Sequence, residues 1–195
     1  MIKKVVGFSL AATFAAVALT GCGLLPQKSN GLILYGSDKQ IDGQIEKYNK
    51  ELKENNTYKI KLLEVDKQKT LVMSKNTAEE LIKREALRQV EGENTKPMDK
   101  LPEVTKEKAV MFAKSEMKDF KVDGKNYTVK YEGNSIIGNG RTYVDSFLIV
   151  DDSEFESIAG TEKTMGLLKF NKDPKNETVD VAKGTEKFQM VTFKK

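Results

Sequence analysis

The chain has no histidine and no tryptophan, a single cysteine, and only four prolines in 195 residues. Each absence closes off chemistry. Without histidine there is no Ser-His-Asp triad, no Cys-His nucleophilic pair and no imidazole ligand for zinc. A lone cysteine permits no internal disulfide, so stability must come from a packed core. Arginine is scarce as well: of 33 basic residues only Arg84, Arg88 and Arg141 are arginine. The lysines are interspersed with Asp and Glu, as on a solvated surface, and do not cluster with aromatics as in nucleic-acid readers. No nucleic-acid partner is expected. Without tryptophan, and with most tyrosines at positions suited to core packing, a carbohydrate platform is not expected either.

What is present begins with a targeting signal. Met1-Ile2-Lys3-Lys4 forms a positive start, Val5 to Leu19 is uncharged and mostly apolar, and Leu19-Thr20-Gly21-Cys22 closes the segment. The apolar stretch falls short of the roughly 20 residues that span a bilayer, so a secretory signal is expected over a permanent span. Thr20 and Gly21 are small enough for a peptidase that needs a narrow, extended substrate. Cys22 supplies the thiol that lipid transfer requires, and two acyl chains on one cysteine anchor firmly where one would be marginal. Residues 1–21 are therefore read as a lipoprotein signal peptide, 22–31 as a lipidated tether, and 32–195 as one extracytoplasmic domain. Removing Lys3 and Lys4 lowers the formal charge from +4 to about +2, so part of the apparent basicity belongs to the signal.

The domain is expected to be mixed α/β, with about eight strands and three or four helices. Leu32-Ile33-Leu34-Tyr35 reads as a buried strand, followed by the capping run Gly36-Ser37-Asp38. Ile41, Ile45, Tyr48 and Leu52 predict an amphipathic helix ending near Asn55-Asn56, and Tyr58 to Val65 a strand, together a βαβ unit. Thr70 to Met73 predicts another strand. A capping box, Thr77-Ala78-Glu79-Glu80, then opens a helix through Arg88. Glu91 to Lys106, polar and with Pro97 and Pro102, reads as a hinge. Beyond it come a strand at Val110-Met111-Phe112 and a hairpin turning at Asp123-Gly124-Lys125, with Tyr127, Val129 and Tyr131 on its return. Phe147 to Val150 predicts a strand running into a helix capped by Asp151-Asp152-Ser153. Leu167–Phe170 and Phe188–Phe193 are the last strands, with a weak helical stretch between them. Three times an apolar strand meets a polar cap and then a helix.

The most unusual stretch is Gly133 to Tyr143, rich in glycine and asparagine. Asn134, Asn139, Arg141 and Tyr143 are its candidate binding residues: a planar guanidinium for an anion, a ring for stacking, and amides between. The competing expectation is a long hairpin loop whose Gly and Asn supply positive φ. The acidic pair Asp151-Asp152 has oxygens for a cation, but its strand-to-helix position predicts capping. No catalytic motif is present, and no metal or cofactor is expected.

The lipobox, Asn30-Gly31-Leu32-Ile33-Leu34-Tyr35-Gly36 and Gly138-Asn139-Gly140-Arg141-Thr142-Tyr143-Val144-Asp145 resemble a small uncharacterised lipoprotein family of bacilli. That resemblance implies envelope localisation in a Gram-positive host and assigns no activity. A fainter similarity, carried by Val122-Asp123-Gly124-Lys125 and Phe147 to Phe155, is to extracellular domains of peptide-handling ABC permeases. It implies contact with envelope proteins or peptides. The expected role is a non-enzymatic, membrane-tethered binding domain. The alternatives are an envelope enzyme using carboxylates or lysines, and a structural lipoprotein of sporulation or stress.

Overall fold

The structure, a computed structural model, describes residues 29–65, 67–116, 121–122, 125–126, 128–140 and 143–194. Cys22, Phe120, Asp123, Gly124, Tyr127 and Arg141, singled out above, lie outside the described residues, as does the whole segment 1–21.

The first strand, β1 (Gly31–Gly36), is buried along its full length, as its unbroken apolar run requires. Asn30 is already tied down: its Oδ1 accepts from Phe193 N at 2.7 Å, and its Nδ2 donates to the Phe193 carbonyl at 3.0 Å. The folded domain thus begins slightly before the expected boundary at residue 32. Ser37 caps α1 (Asp38–Tyr48) reciprocally, accepting from Gln40 N while Gln40 Oε1 accepts from Ser37 N. This helix stops about two turns sooner than its periodicity predicted. Glu51 N closes a turn onto the Tyr48 carbonyl at 2.8 Å, and β2 (Leu52–Val65) starts at Leu52. Asn55 and Asn56, expected at a helix end, pair with Leu168 and Leu167. Sheet pairing outweighs the local helical pattern there.

A tight turn with Lys67 at φ 66° leads to β3 (Gln68–Ser74). The cap of α2 (Lys75–Lys83) is Ser74, which accepts from Thr77 N at 3.3 Å. Thr77 is therefore a first-turn donor instead of the expected cap, and Glu80 is spent on Lys83 and Arg84. The helix ends at Lys83 because Glu85 turns left-handed at φ 57°, and Arg88 belongs to β4 (Leu87–Glu91). The expected hinge is in part a hairpin: Gly92, at φ 60°, turns β4 into β5 (Asn94–Pro97).

Next come β6 (Lys108–Ala113), a two-stranded hairpin of β7 (Lys121–Val122) and β8 (Lys125–Asn126), and β9 (Thr128–Tyr131). Val129 and Tyr131 do not continue the hairpin, because β9 leaves it to pair in parallel with β6. The chain then forms β10 (Ser135–Ile137), β11 (Ser146–Val150), α3 (Asp152–Phe155), β12 (Thr161–Phe170), a 3₁₀ turn at Pro174–Asn176, α4 (Thr178–Gly184) and β13 (Lys187–Val191).

Eight strands form the main sheet in the order β13-β1-β12-β2-β3-β11-β6-β9, and β10-β4-β5 form a second, small sheet. The βαβ unit is real but split. β12 lies between β1 and β2, antiparallel to both, so β1 and β2 are parallel without being neighbours. One face of the main sheet buries Ile33, Tyr35, Ile60, Met165 and Leu167 with Leu81 of α2 and Leu87 and Ile137 of the small sheet. The opposite face carries two clusters. Leu32, Leu34 and Leu168 pack with Ile41 and Val181 of α1 and α4. Val72, Met111 and Leu148 pack with Phe155 and Ile158 at α3. The architecture is a mixed α/β domain, as expected, with packed layers on both faces of the main sheet. The register places Gly31, Leu52, Phe170 and Val191 at one end of the sheet and Gly36, Val65, Thr161 and Lys187 at the other.

Candidate functional site

The Gly/Asn-rich segment does not form one free loop. Its Ser135–Ile137 portion pairs with β4, and Gly138 N donates to the Ala86 carbonyl at 2.7 Å. Gly138 has φ +66°, and a Cβ there would sit 3.0 Å from Gln189 Cδ and 3.1 Å from Ile33 Cδ1. Both backbone conformation and space demand glycine at this point. Asn134 and Asn139 fall at opposite ends of β10. The half-buried Asn134 accepts from Val90 N through its carbonyl at 2.9 Å. Asn139 is exposed in a turn and borders a 520 Å³ cavity with Arg88, Thr95, Phe193 and Lys194.

Tyr143 meets several other functional groups. Its ring stacks on Tyr35 with centroids 4.4 Å apart and planes 18° from parallel, and Lys69 Nζ lies 3.9 Å from its centroid. Its hydroxyl donates to Glu186 Oε2 at 2.9 Å, while Lys163 Nζ holds Glu186 Oε1 at 2.5 Å. Burial, and then the Glu186 carboxylate, push the Tyr143 hydroxyl above its usual range. Burial does the same to Tyr35 beneath it, whose hydroxyl accepts from Gln189 Nε2 at 3.3 Å. Lys163 holds the Glu186 carboxyl below its ordinary value against the opposing effect of burial. The cluster thus keeps two neutral phenols and one carboxylate together at neutral pH, beside the side chains of Lys69 and Lys163.

Beside it opens a 380 Å³ cavity lined by Leu62, Leu63, Glu64, Lys67, Lys69, Asp145 and Thr161. Lys69 belongs to both features. Its main chain is clamped by Asp145, whose Oδ2 accepts from Lys69 N at 2.8 Å while Asp145 N donates to the Lys69 carbonyl at 2.7 Å. Every part of this arrangement sits at the Gly36 end of the sheet. It offers an aromatic face, cations and a shallow half-apolar trough, which suits non-covalent recognition of an anionic or amphipathic group. Tyr143 alone was legible in the sequence. Tyr35 looked like an ordinary strand residue, and Lys69, Lys163, Glu186 and Gln189 carry no pattern that separates them from surface residues.

Two other chemically notable groups are structural. Lys61 is 6% exposed, and its Nζ donates to the carbonyls of Phe155, Glu156 and Ile158 at 2.9, 3.0 and 2.8 Å. All three ammonium protons are used, so this buried lysine closes the end of α3 and lines no site. Asp151 caps α3, accepting from Ser153 N at 3.1 Å, and Asp152 Oδ1 accepts from Asn76 N at 3.0 Å. The acidic pair is thereby spent on main-chain donors, as its position at the strand-to-helix junction predicted. Among the described residues no three or more acidic side chains converge as a metal site would require. No helix among them is long and apolar enough to cross a membrane.

The model of an uncharacterised lipoprotein family matches residues 29–194, which spans the whole folded domain. A solved crystal structure from Bacillus anthracis, of a protein described as a lipoprotein, superposes with a TM-score of 0.79 at 35% identity. That match covers 85% of this chain and 100% of the other. No curated protein matches.

Proposed function

Because the chain belongs to this uncharacterised lipoprotein family, we propose that it is an envelope lipoprotein of a Gram-positive bacterium, cut before Cys22 and held by lipid on that cysteine at the outer face of the cytoplasmic membrane. There it serves as a non-catalytic binding domain. The observation that carries this reading is the distance in sequence between Cys22 and Asn30. The only cysteine closes a signal-like segment, and eight residues later the chain is already fixed into the fold by both faces of the Asn30 amide. Such a short tether has little use except to hold the domain close to a surface. The cluster around Tyr143, with its cavity at the opposite end, is then the surface turned toward the envelope. Its cations, its aromatic face and the half-apolar cavity beside it support a peptide or protein partner.

Expression of the full chain and of Cys22→Ser in a Gram-positive host tests the anchoring. The parent should sediment with membranes and yield an amino-terminal peptide beginning at a diacylglyceryl-modified Cys22, whereas the variant should lose both properties. A parent chain released unmodified into the medium would refute the reading.

A further inference from the structure

The end of the sheet from which the chain leaves toward Cys22 carries a basic recess of its own. Gly31 lies opposite Lys169 on β12 and Val191 on β13, and a Cβ at Gly31 would strike the Phe193 ring. Immediately beside this exit is a 220 Å³ cavity lined by the apolar Leu167 and Phe193, by Glu54 and Asn56, and by four basic residues, Lys83, Arg84, Lys169 and Lys194. The recess brings together four basic side chains: the consecutive Lys83 and Arg84 at the end of α2, Lys169 on β12, and Lys194 in the carboxyl-terminal segment.

Their partners differ in a way that matters. Lys83 and Arg84 are paired with Glu80 at 2.6 and 2.9 Å, Arg84 also with Glu54 at 2.7 Å, and Lys194 with Glu85 at 3.3 Å. Lys169, by contrast, donates at 2.7 Å to the main-chain carbonyl of Lys194 and pairs with no carboxylate among the described residues. Two of its ammonium protons remain for an incoming acceptor. The Lys194 pair is long and exposed, the kind that solvent and competing anions displace easily.

From this geometry we infer that the recess faces the membrane and receives the phosphate of anionic phospholipid headgroups. The inference rests on the anchoring reading above. Eight residues separate Cys22 from Asn30, a span of about 28 Å if fully extended and roughly 16 Å on average for a flexible chain. The lipid on Cys22 fixes one end of that segment in the bilayer, and Asn30 fixes the other beside Lys169. The first part of the domain to meet the surface is therefore the Gly31 end. It arrives within about two Debye lengths of the headgroups at physiological salt, where an anionic leaflet draws basic side chains toward it. Contact there would set the orientation of the domain and point the Tyr143 cluster away from the bilayer.

The test uses the full-length lipidated protein purified from expressing cells and placed in vesicles of phosphatidylcholine, with or without phosphatidylglycerol. Lysine reactivity is read residue by residue by mass spectrometry, and the same digest reports the acyl mass of the Cys22 peptide. The expected result is an acylated Cys22, with Lys83, Lys169 and Lys194 protected at least threefold relative to Lys67 and Lys187. That protection should appear only with phosphatidylglycerol and vanish in 1 M salt. In a Lys169→Gln, Lys194→Gln double variant, Lys83 should lose its protection while melting is unchanged. An acylated protein whose lysines react alike in both vesicles overturns the orientation and leaves the anchoring intact. Equal protection in phosphatidylcholine alone overturns the phosphate contact. A Cys22 peptide without acyl mass overturns the anchoring, and this inference with it.

Discussion

At the scale of single residues, the domain spends its unusual side chains on its own main chain. Lys61 is the clearest case, since replacing it with methionine keeps most of the stem and strands the carbonyls of Phe155, Glu156 and Ile158. Lys61→Met should cost about 2–3 kcal/mol in urea unfolding. Unchanged stability would mean that water satisfies those carbonyls equally well. Gly138→Ala should cost about 1–2 kcal/mol for its left-handed backbone alone, with the approach of Gln189 and Ile33 adding to it. The absence of histidine has a consequence at the same scale. No side chain with an unperturbed pKa titrates between about pH 5.5 and 8, so the melting midpoint should be flat across that window. Asp38 and Glu186 are held below the ordinary carboxylate range by Lys59 and Lys163. A lowered folded pKa gives stability that is present above the unfolded value and is lost as pH falls through the folded one. The midpoint should therefore decline below about pH 4, and Lys59→Gln should flatten that decline. A slope through neutrality would contradict the assignment.

At the scale of elements, the apolar runs and polar caps were the most informative parts of the sequence. Leu32–Tyr35, Thr70–Met73 and Phe147–Val150 are strands, and each runs into a helix capped by a side chain at the junction: Ser37, Ser74 and Asp151. The middle cap was misplaced at Thr77 because Thr77-Ala78-Glu79-Glu80 fits the capping pattern, while Ser74 lies inside the strand run. Ser74→Ala should destabilise the domain by about 1 kcal/mol, and Thr77→Ala should leave the start of α2 in place. Amide exchange across residues 75–83 would distinguish the two. The end of α1 was misjudged for a different reason. Leu52 continues the helical spacing, but Asn55 and Asn56 have pairing partners in β12 that lie more than a hundred residues away in sequence. No local pattern carries that demand. The insertion of β12 between β1 and β2 is long-range in the same sense, and so was invisible to a strand-by-strand reading.

At the scale of the molecule, the two ends of the sheet differ. The Gly31 end holds the exit toward Cys22 and the recess of Lys83, Arg84, Lys169 and Lys194. The Gly36 end holds Tyr143, Lys69, Glu186 and the 380 Å³ cavity. Of the second group only Tyr143 stood out in the sequence, because the others are ordinary lysines and a glutamate that acquire a role through β1, β3, β12 and β13 meeting at one end. Asn134 and Asn139 looked like companions of Tyr143, yet β10 holds them apart. Site-specific photo-cross-linking in living cells addresses the central claim, that an anchored domain binds through the end turned away from the membrane. The probe would be placed at the exposed Thr161 on the cavity rim, with the exposed Val179 of α4 as comparison. The account predicts a discrete adduct with an envelope partner from position 161, absent from position 179 and lost in a Lys69→Ala background. Adducts from position 179 with none from position 161 would contradict it.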